Sequence, residues 1–110
     1  MKKNIVIIPT YNEEGNIINL YKKIKKNLKT DILYIDDNSS DNTQKIIKNL
    51  KLKDNKIHYV FRPSKLGIGS AHKYGLRWSY KKNYKIIITM DGDGTHDPKE
   101  IKKMLKICSQ

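Results

Sequence analysis

The stretch "NIVIIPTYNEE", residues 4–14, decides the fold. Its first five residues are a short run of largely β-branched, apolar residues. Such a run predicts a buried β-strand over residues 4–8 that ends at Pro9. Polar residues follow at once, and apolar side chains from Ile17 to Leu28 then recur at helical spacing. The stretch therefore predicts a strand, a polar turn and a helix over about residues 14–28.

The same unit repeats along the rest of the chain. Strands are predicted over residues 32–36, 56–61 and 85–90, and a helix is predicted after each of them. The third strand alternates enough to predict a place near an edge of the sheet, and the third helix is predicted over residues 67–81. The order βαβαβαβα predicts an α/β fold: three layers, αβα, around a parallel, Rossmann-like sheet with right-handed crossovers.

Two of the helices have a predicted capping box at their first turn. Asp41 with Gln44 fits one, and Asp97 with Glu100, with Pro98 at the first helical position, fits the other. A capping residue uses its side chain to satisfy the backbone of the helix. Asp97 is therefore explained better as a cap than as a metal ligand.

Basic residues outnumber acidic residues in this chain. The formal net charge is +12, and the bases are 21 Lys and 2 Arg, scattered over every predicted helix. There is no arginine-rich stripe and no array of aromatic side chains for stacking bases, so we do not expect a nucleic-acid partner and attribute the charge to compositional drift on a solvated surface. A modest attraction to anionic lipid headgroups or phosphorylated ligands is compatible with it.

The acidic residues are more informative than the bases. Of 11 in the chain, 8 lie in three short stretches that each directly follow a predicted strand. Because ligands of parallel α/β sheets bind beyond the carboxyl ends of the strands, the three stretches are predicted to share one rim. They contain Glu13, Glu14, Asp36, Asp37, Asp41, Asp91, Asp93 and Asp97.

Asp91 and Asp93 are the strongest candidates for metal ligands. Residues two apart in an extended chain point the same way, and Gly92 and Gly94 leave room for a ligand. Two carboxylates with substrate phosphates are a usual site for Mg²⁺ or Mn²⁺. A turn stabilised by aspartate side chains is the alternative. A calcium loop is excluded, because it needs Gly at its sixth position and Glu at its twelfth, where His96 and Lys102 stand.

The other rim stretches are ambiguous when taken singly. Asp36 and Asp37 suit a ribose or base, or equally a solvated turn. Tyr11 offers a stacking surface and Glu13 an acceptor, but the same residues fit a turn capped by Asn12. In "RPSKLGIGSAHKYG", residues 62–75, cations precede a glycine-opened helix, which suits a phosphate.

Together, four stretches resemble one family. They are "VIIPTYNEEGNI" (6–17), "YIDDNSSDNT" (34–43), "RPSKLGIGSAHKYGL" (62–76) and "IITMDGDGTHDPKEI" (87–101). Their order and spacing resemble inverting, nucleotide-sugar-dependent glycosyltransferases of the GT-A fold. The R-x-x-K-L-G-x-G-x-A pattern resembles the dolichyl- and polyprenyl-phosphate mannosyltransferase branch, also called polyprenol-phosphate mannose synthases.

The resemblance implies a donor site. Pro9, Tyr11 and Glu13 would hold the nucleotide base and ribose, and Ile35 and Asp37 would complete that pocket. Asp91, Gly92 and Asp93 match the family's D-x-D, with Gly92 in place of the more usual Ala. The two aspartates would bind Mg²⁺ or Mn²⁺ on the diphosphate. No residue is assigned as catalytic.

The implied reaction transfers a sugar, mannose from GDP-mannose, to a polyprenyl or dolichyl phosphate with inversion. A UDP-sugar donor and a non-catalytic nucleotide-binding fragment are the alternatives. Such enzymes need roughly twice this length. Residues 1–110 are therefore expected to be the truncated, nucleotide-sugar-binding half, with a partner chain or further segment supplying the rest. The expected location is cytoplasmic, with peripheral association at the membrane face.

Overall fold

The computed structural model describes residues 4–90 as a three-layer α/β/α domain built around a parallel sheet. The fold class expected from the strand and helix pattern is confirmed. Strands and helices alternate strictly along the chain. They are β1 (Asn4–Thr10), α1 (Ile17–Asn27), β2 (Asp31–Asp37), α2 (Thr43–Lys53), β3 (Ile57–Arg62), α3 (Ile68–Lys81) and β4 (Ile86–Thr89). The predicted fourth helix, with its Asp97–Glu100 capping box, lies outside the described residues.

The sheet has the strand order β3-β2-β1-β4 across the described part of the chain, and every pairing is parallel. Strand β3 is at an edge, as its alternating pattern predicts. The central strands β1 and β2 are buried along almost their whole length, since apolar layers cover both faces. Burial on both faces explains why these strands consist largely of isoleucine, leucine and valine.

Helices α1 and α2 cover one face of the sheet, and α3 covers the other. The first core joins Ile17, Leu20 and Ile24 of α1 to Ile47 and Leu50 of α2, over sheet residues such as Ile32. The second core packs Ala71 and Trp78 of α3 against sheet residues. The change of face between α2 and α3 follows from right-handed crossovers, because the chain reverses direction across the sheet to place β4 beside β1.

Strand β1 continues to Thr10, so the prediction that Pro9 ends it is wrong. Pairing with β4 stops at Ile7↔Thr89, whereas pairing with β2 continues to Thr10↔Asp36. The carbonyl of Ile7 accepts from Met90 on the β4 side, and the backbone of Pro9, two residues on, points to that same side. A proline there costs no ladder hydrogen bond because it lies beyond the last paired residue of β4.

Helix α3 approaches β1 very closely at Gly75. A Cβ at this position would lie 2.6 Å from Cγ2 of Ile7 and 3.0 Å from its Cδ1. We expect Gly75→Ala to lower the free energy of unfolding by about 1–3 kcal/mol through overpacking. Gly69→Ala in the same helix is the matched control, since a Cβ there meets nothing within 4 Å, and it is expected to be neutral or stabilising. Urea denaturation of both variants measures the difference, and equal effects would contradict the close approach.

Two tyrosines in the core between the sheet and helices α1 and α2 differ in the hydrogen bonding of their hydroxyl groups. Tyr34 is buried without a hydrogen-bond partner for its hydroxyl, and this burial raises its pKa. The hydroxyl of Tyr21 donates to Asp54 at 2.9 Å. We expect Tyr34→Phe to leave the thermal midpoint unchanged or to raise it. We expect Tyr21→Phe to lower the thermal midpoint, because it lowers the free energy of unfolding by about 1 kcal/mol. A larger drop in the thermal midpoint for Tyr34→Phe than for Tyr21→Phe, measured in parallel thermal melts, would refute this difference.

Candidate functional site

The carboxyl ends of the strands form a rim where the sheet changes its covering helices. Strands β1 and β4 are neighbours, yet α1 leaves β1 over one face while α3 reaches β4 over the other. Such a change of direction opens a crevice at the strand ends, which is where α/β sheets bind ligands. Tyr11 follows β1, Asp37 ends β2, Arg62 ends β3, and Met90 follows β4.

Asp36 is buried and fully hydrogen-bonded within the protein. Its Oδ1 accepts from the hydroxyls of Thr10 and Ser39, both at 2.6 Å. Its Oδ2 accepts from the amide of Ser39 and from Nε2 of Gln44, both at 2.9 Å. Asp36 therefore belongs to a turn, but to a buried one, so the prediction of a solvated turn is wrong for this residue. This carboxylate holds the loop after β2 against the end of β1.

Gln44 does not complete a capping box. The predicted box is wrong, because the N-cap position of α2 is Asn42, without a side-chain capping bond, and Gln44 turns instead to Asp36. A buried carboxylate needs donors, and that need outweighs a bond to the helix end. Asp41 nevertheless serves the first turn: its Oδ1 accepts from the amide of Thr43 at 2.9 Å.

The loops after β1 and β2 are tied together through Asn12. Its backbone is in the left-handed region at φ 51°, a conformation that asparagine tolerates better than most residues. Its Oδ1 accepts from the amide of Ser40 at 2.9 Å, and its amide donates to Oγ of Ser39 at 2.8 Å. The alternative in which Asn12 caps α1 is wrong, because Asn16 occupies that position and α1 begins at Ile17.

A second tie joins the same two loops at Asp41. The amide of Glu14 donates to its Oδ2 at 3.3 Å, and the amide of Glu13 donates to the hydroxyl of Thr43 at 2.8 Å. Burial alone would raise the pKa of Asp41, but hydrogen bonds from Thr43 and Glu14 hold it below the ordinary value. The carboxylate is therefore ionised at neutral pH and adds negative charge to the rim.

Asp37 and Arg62 form a buried ion pair at the ends of β2 and β3. Nε of Arg62 donates to Oδ1 of Asp37 at 2.6 Å and Nη2 donates to Oδ2 at 3.0 Å, and both side chains are only 7% exposed. The amides of Leu66 and Gly67 also donate to Oδ2, at 2.9 and 3.1 Å. One carboxylate thus fixes both an arginine and the loop that leads into α3.

Arg62 extends this network to the start of α3. Its Nη1 donates to Oγ of Ser70 at 2.9 Å and its Nη2 donates to the carbonyl of Gly67 at 3.3 Å. Gly67 has φ 96°, a backbone conformation that a side chain would strain. The charge of Arg62 is therefore used inside the protein, and Lys65 is the cation of this stretch that is exposed at the rim.

The rim side chains that the resemblance assigns to a nucleotide lie in two different environments. Pro9 and Ile35 are buried and paired in register within the sheet, so they form part of the base of the rim. Tyr11 is 40% exposed, with Nζ of Lys65 4.4 Å from the centre of its ring. Oε2 of Glu13 accepts from Nδ2 of Asn16 at 3.1 Å. The structure thus brings these four residues and Asp37 to one rim.

The predicted metal ligands Asp91 and Asp93, with Gly92 between them, lie outside the described residues. In the sequence, Asp91 comes two residues after Thr89, the last residue of β4. Among residues 4–90, no three His, Cys, Asp or Glu side chains form a group suited to a metal ion. Asp36 and Asp37 already accept hydrogen bonds on both oxygens, so neither offers a free carboxylate oxygen to a metal ion. The assignment of Asp91 and Asp93 to Mg²⁺ or Mn²⁺ stays a prediction.

The family follows from a match over nearly the whole chain. The model described as Glycosyl transferase family 2 matches residues 5–110. The chain belongs to this family. The family resemblance carried by the four quoted stretches is therefore confirmed.

Two relatives of known name are similar to this chain over most of its length. This chain is 35% identical over 106 residues to the polyprenol monophosphomannose synthase of Mycolicibacterium smegmatis. The aligned residues cover 94% of this chain and 40% of that protein. This chain is 33% identical over 113 residues to the UDP-N-acetylglucosamine–dolichyl-phosphate N-acetylglucosaminyltransferase of Methanococcus voltae, covering 92% and 45%. The chain thus spans less than half the length of these relatives.

A solved structure has the same fold. The mannosyltransferase PcManGT from Pyrobaculum calidifontis, in complex with GDP-Man and Mn²⁺, superposes with a TM-score of 0.76. The sequences are 20% identical, and the match covers 96% of this chain and 31% of that one. At this identity the likeness supports the fold. Within residues 4–90 of our chain, no helix has the length and apolar character needed to cross a membrane.

Sequence reasoning missed the ion pair between Asp37 and Arg62. The signal that could have found it is register: the two residues end neighbouring parallel strands and face each other as partners. Two opposite charges at buried strand ends would have indicated a pair. The tie through Asn12 had no comparable signal, because it depends on a single left-handed residue in a loop.

Proposed function

We propose that this chain is the nucleotide-sugar-binding half of a polyprenyl-phosphate glycosyltransferase that uses GDP-mannose. The observation that carries the proposal is the rim, where Tyr11 and Glu13 follow β1 and the Asp37–Arg62 network ends the neighbouring strands β2 and β3. Membership of the family and the polyprenol monophosphomannose synthase among its relatives support the reaction class.

In this proposal each rim residue has a distinct task. The exposed ring of Tyr11 stacks on the base, and the half-buried Glu13 accepts from the base or ribose. Pro9 and Ile35 limit the depth of the pocket. Asp37 contributes by holding Arg62 and the amides of Leu66 and Gly67, which fixes the loop beside Tyr11.

Asp91 and Asp93 would hold Mg²⁺ or Mn²⁺ on the donor diphosphate, with the backbone at Gly92 leaving space beside it. A metal ion there supplies charge neutralisation for the departing nucleoside diphosphate. A lipid phosphate is already an anion, so its attack on the anomeric carbon needs no general base. The proposal therefore requires binding and positioning from the described residues and assigns none of them a proton transfer.

Calorimetric titration of the chain with GDP-mannose and UDP-glucose, each with and without Mn²⁺, tests the donor. We expect GDP-mannose to bind in the presence of Mn²⁺ and more weakly without it. Stronger metal-dependent binding of UDP-glucose would favour the second candidate, a UDP-sugar transferase, which the Methanococcus voltae relative supports. Failure of both donors to bind with metal would refute the donor site.

A transfer assay separates the donor-binding half from a complete enzyme. The chain spans 40% of the polyprenol monophosphomannose synthase relative, so further structure is expected to supply the acceptor site, from a partner chain or another segment. We expect donor binding without formation of mannosyl lipid when polyprenyl phosphate is added. Mannosyl lipid formed by the chain alone would contradict the assignment as a half.

A further inference from the structure

The outer surface of α1 and α2 is strongly basic. Each helix carries four lysines and no acidic residue, and the two helices pack side by side on one face of the sheet. Burying their apolar sides turns the lysines toward solvent: Lys22 and Lys26 of α1 and Lys45 and Lys48 of α2 are all exposed. We call this surface the lysine layer.

Little of this charge is neutralised nearby. Lys25 is paired with Asp54, with 3.5 Å between Nζ and Oδ2. Within the described part of the chain, no carboxylate lies within ion-pair distance of Lys22, Lys26 or Lys45. The acidic residues are concentrated instead at the rim, around Asp37 and Asp41. The charge is therefore separated in space, which scattered lysines in the sequence do not reveal.

Apolar side chains lie among the lysines. Leu52 on α2 is 85% exposed and Ile18 on α1 is 38% exposed. At helical spacing, Ile18 shares the outward side of α1 with Lys22 and Lys26, and Leu52 shares that of α2 with Lys45 and Lys48. Lysines that surround exposed aliphatic side chains fit the interface of an anionic membrane, where both charge attraction and shallow burial are favourable.

A lipid surface fits this layer better than a nucleic acid does. Neither helix contains arginine, whose planar group is favoured for phosphate and base recognition. Leu52 and Ile18 are aliphatic and offer no stacking surface for bases. An aliphatic side chain this exposed gains free energy by entering the acyl boundary, whereas a nucleic acid gives it nothing comparable to contact.

We propose that the lysine layer docks the protein on an anionic lipid surface. The strands then run roughly parallel to the membrane, and the acidic rim faces sideways, about 10 Å from the headgroups, which is the thickness of one helix layer. The inference rests on the proposed function for the acceptor, because a polyprenyl phosphate in the same membrane would reach the rim from that side.

Flotation of the full chain with vesicles tests the docking surface. The vesicles are phosphatidylcholine with about one-third phosphatidylglycerol, and pure phosphatidylcholine is the comparison. The variant Lys22→Gln/Lys26→Gln/Lys45→Gln is expected to bind about a hundredfold more weakly, since each lysine near the surface contributes about fivefold. The matched control, Lys73→Gln/Arg77→Gln/Lys81→Gln, removes equal charge from α3 on the opposite face and is expected to bind nearly as the unmodified chain.

The variant Leu52→Gln tests the apolar contribution to vesicle binding, because it leaves the net charge unchanged. We expect Leu52→Gln to weaken vesicle binding by a similar factor at low and high salt, whereas the effect of the triple lysine substitution shrinks at high salt, because screening acts only on the charge contribution. Equal losses in the α1/α2 and α3 variants would overturn the proposal, since net charge would then explain the binding. Tighter binding to a poly(U) oligonucleotide, lost with the same three lysines, would overturn it in favour of RNA.

The test is independent of the donor site. Titration with GDP-mannose and Mn²⁺ in the absence of vesicles is expected to be unchanged in both lysine variants, because neither includes a rim residue. Donor binding without vesicle binding would overturn the docking surface and leave the proposed function standing. Vesicle binding without donor binding would support the lysine layer and refute the proposed donor site.

Discussion

Arg62→Met is expected to lower the free energy of unfolding by about 3–5 kcal/mol, one of the two largest effects that the structure predicts. The substitution leaves the carboxylate of Asp37 at 7% exposure without the guanidinium that neutralises it. It also removes the bonds to Ser70 and to the carbonyl of Gly67. A domain of this size has about 5–15 kcal/mol of stability in total, so much of the protein should unfold at low urea concentration.

Arg77→Met is the control for this substitution, because the chain's other arginine is exposed on α3. It is expected to change the unfolding free energy by about 0.5 kcal/mol or less. Asp37→Asn/Arg62→Met should recover part of the loss, since the stranded charge is removed while the amides of Leu66 and Gly67 keep an acceptor. Urea midpoints for Arg62→Met and Arg77→Met that coincide would show that the pair has no structural role.

Asp91→Asn/Asp93→Asn is expected to weaken Mn²⁺-dependent binding of GDP-mannose by about a hundredfold or more. Even residues that merely support metal ligands cost ten- to a hundredfold when they are replaced, and these two are the proposed ligands themselves. The physical reason is that a neutral amide oxygen offers far less charge to a hard divalent cation than a carboxylate does. Calorimetric titration of the nucleotide sugar with and without metal measures the change.

Asp97→Asn is the control within the same stretch. If Asp97 caps the following helix, asparagine replaces it at little cost, because the two residues are about equally good caps. Donor affinity should then stay close to that of the unmodified chain. The predicted roles of these aspartates would be reversed if Asp97→Asn lost metal-dependent donor binding while Asp91→Asn/Asp93→Asn kept it.

Much of the fold could be predicted because each strand and helix has a strong local pattern. The apolar runs of β1 and β2 reflect burial on both faces, and the spacing of Ile17, Leu20 and Ile24 reflects burial of one side of α1. Local patterns do not determine where an element ends. Strand β1 extends past Pro9 because β4 stops pairing before it, which depends on a strand almost 80 residues later in the chain.

The candidate site was predicted in position but not in its contacts. Acidic stretches after strands must meet at one rim of a parallel sheet, and this placed Tyr11, Glu13 and Asp37 together. Which carboxylates are available there depends on partners distant in sequence. Gln44 binds Asp36, and Arg62 binds Asp37 from the end of another strand. Periodicity and capping rules describe neighbours in sequence, so they could not distinguish these closed networks from open ligands.

The central claim is that the rim at the carboxyl ends of the strands binds a nucleotide sugar together with a divalent metal. Amide NMR spectra of the chain with GDP-mannose and Mn²⁺ test it directly, because the paramagnetic ion broadens signals near it. The account predicts selective broadening at Tyr11, Asp37 and Gly67, with Asp31 and Ile57 spared at the other end of strands about 20 Å long. Broadening centred on Asp31 and Ile57, or equal with and without GDP-mannose, would contradict it.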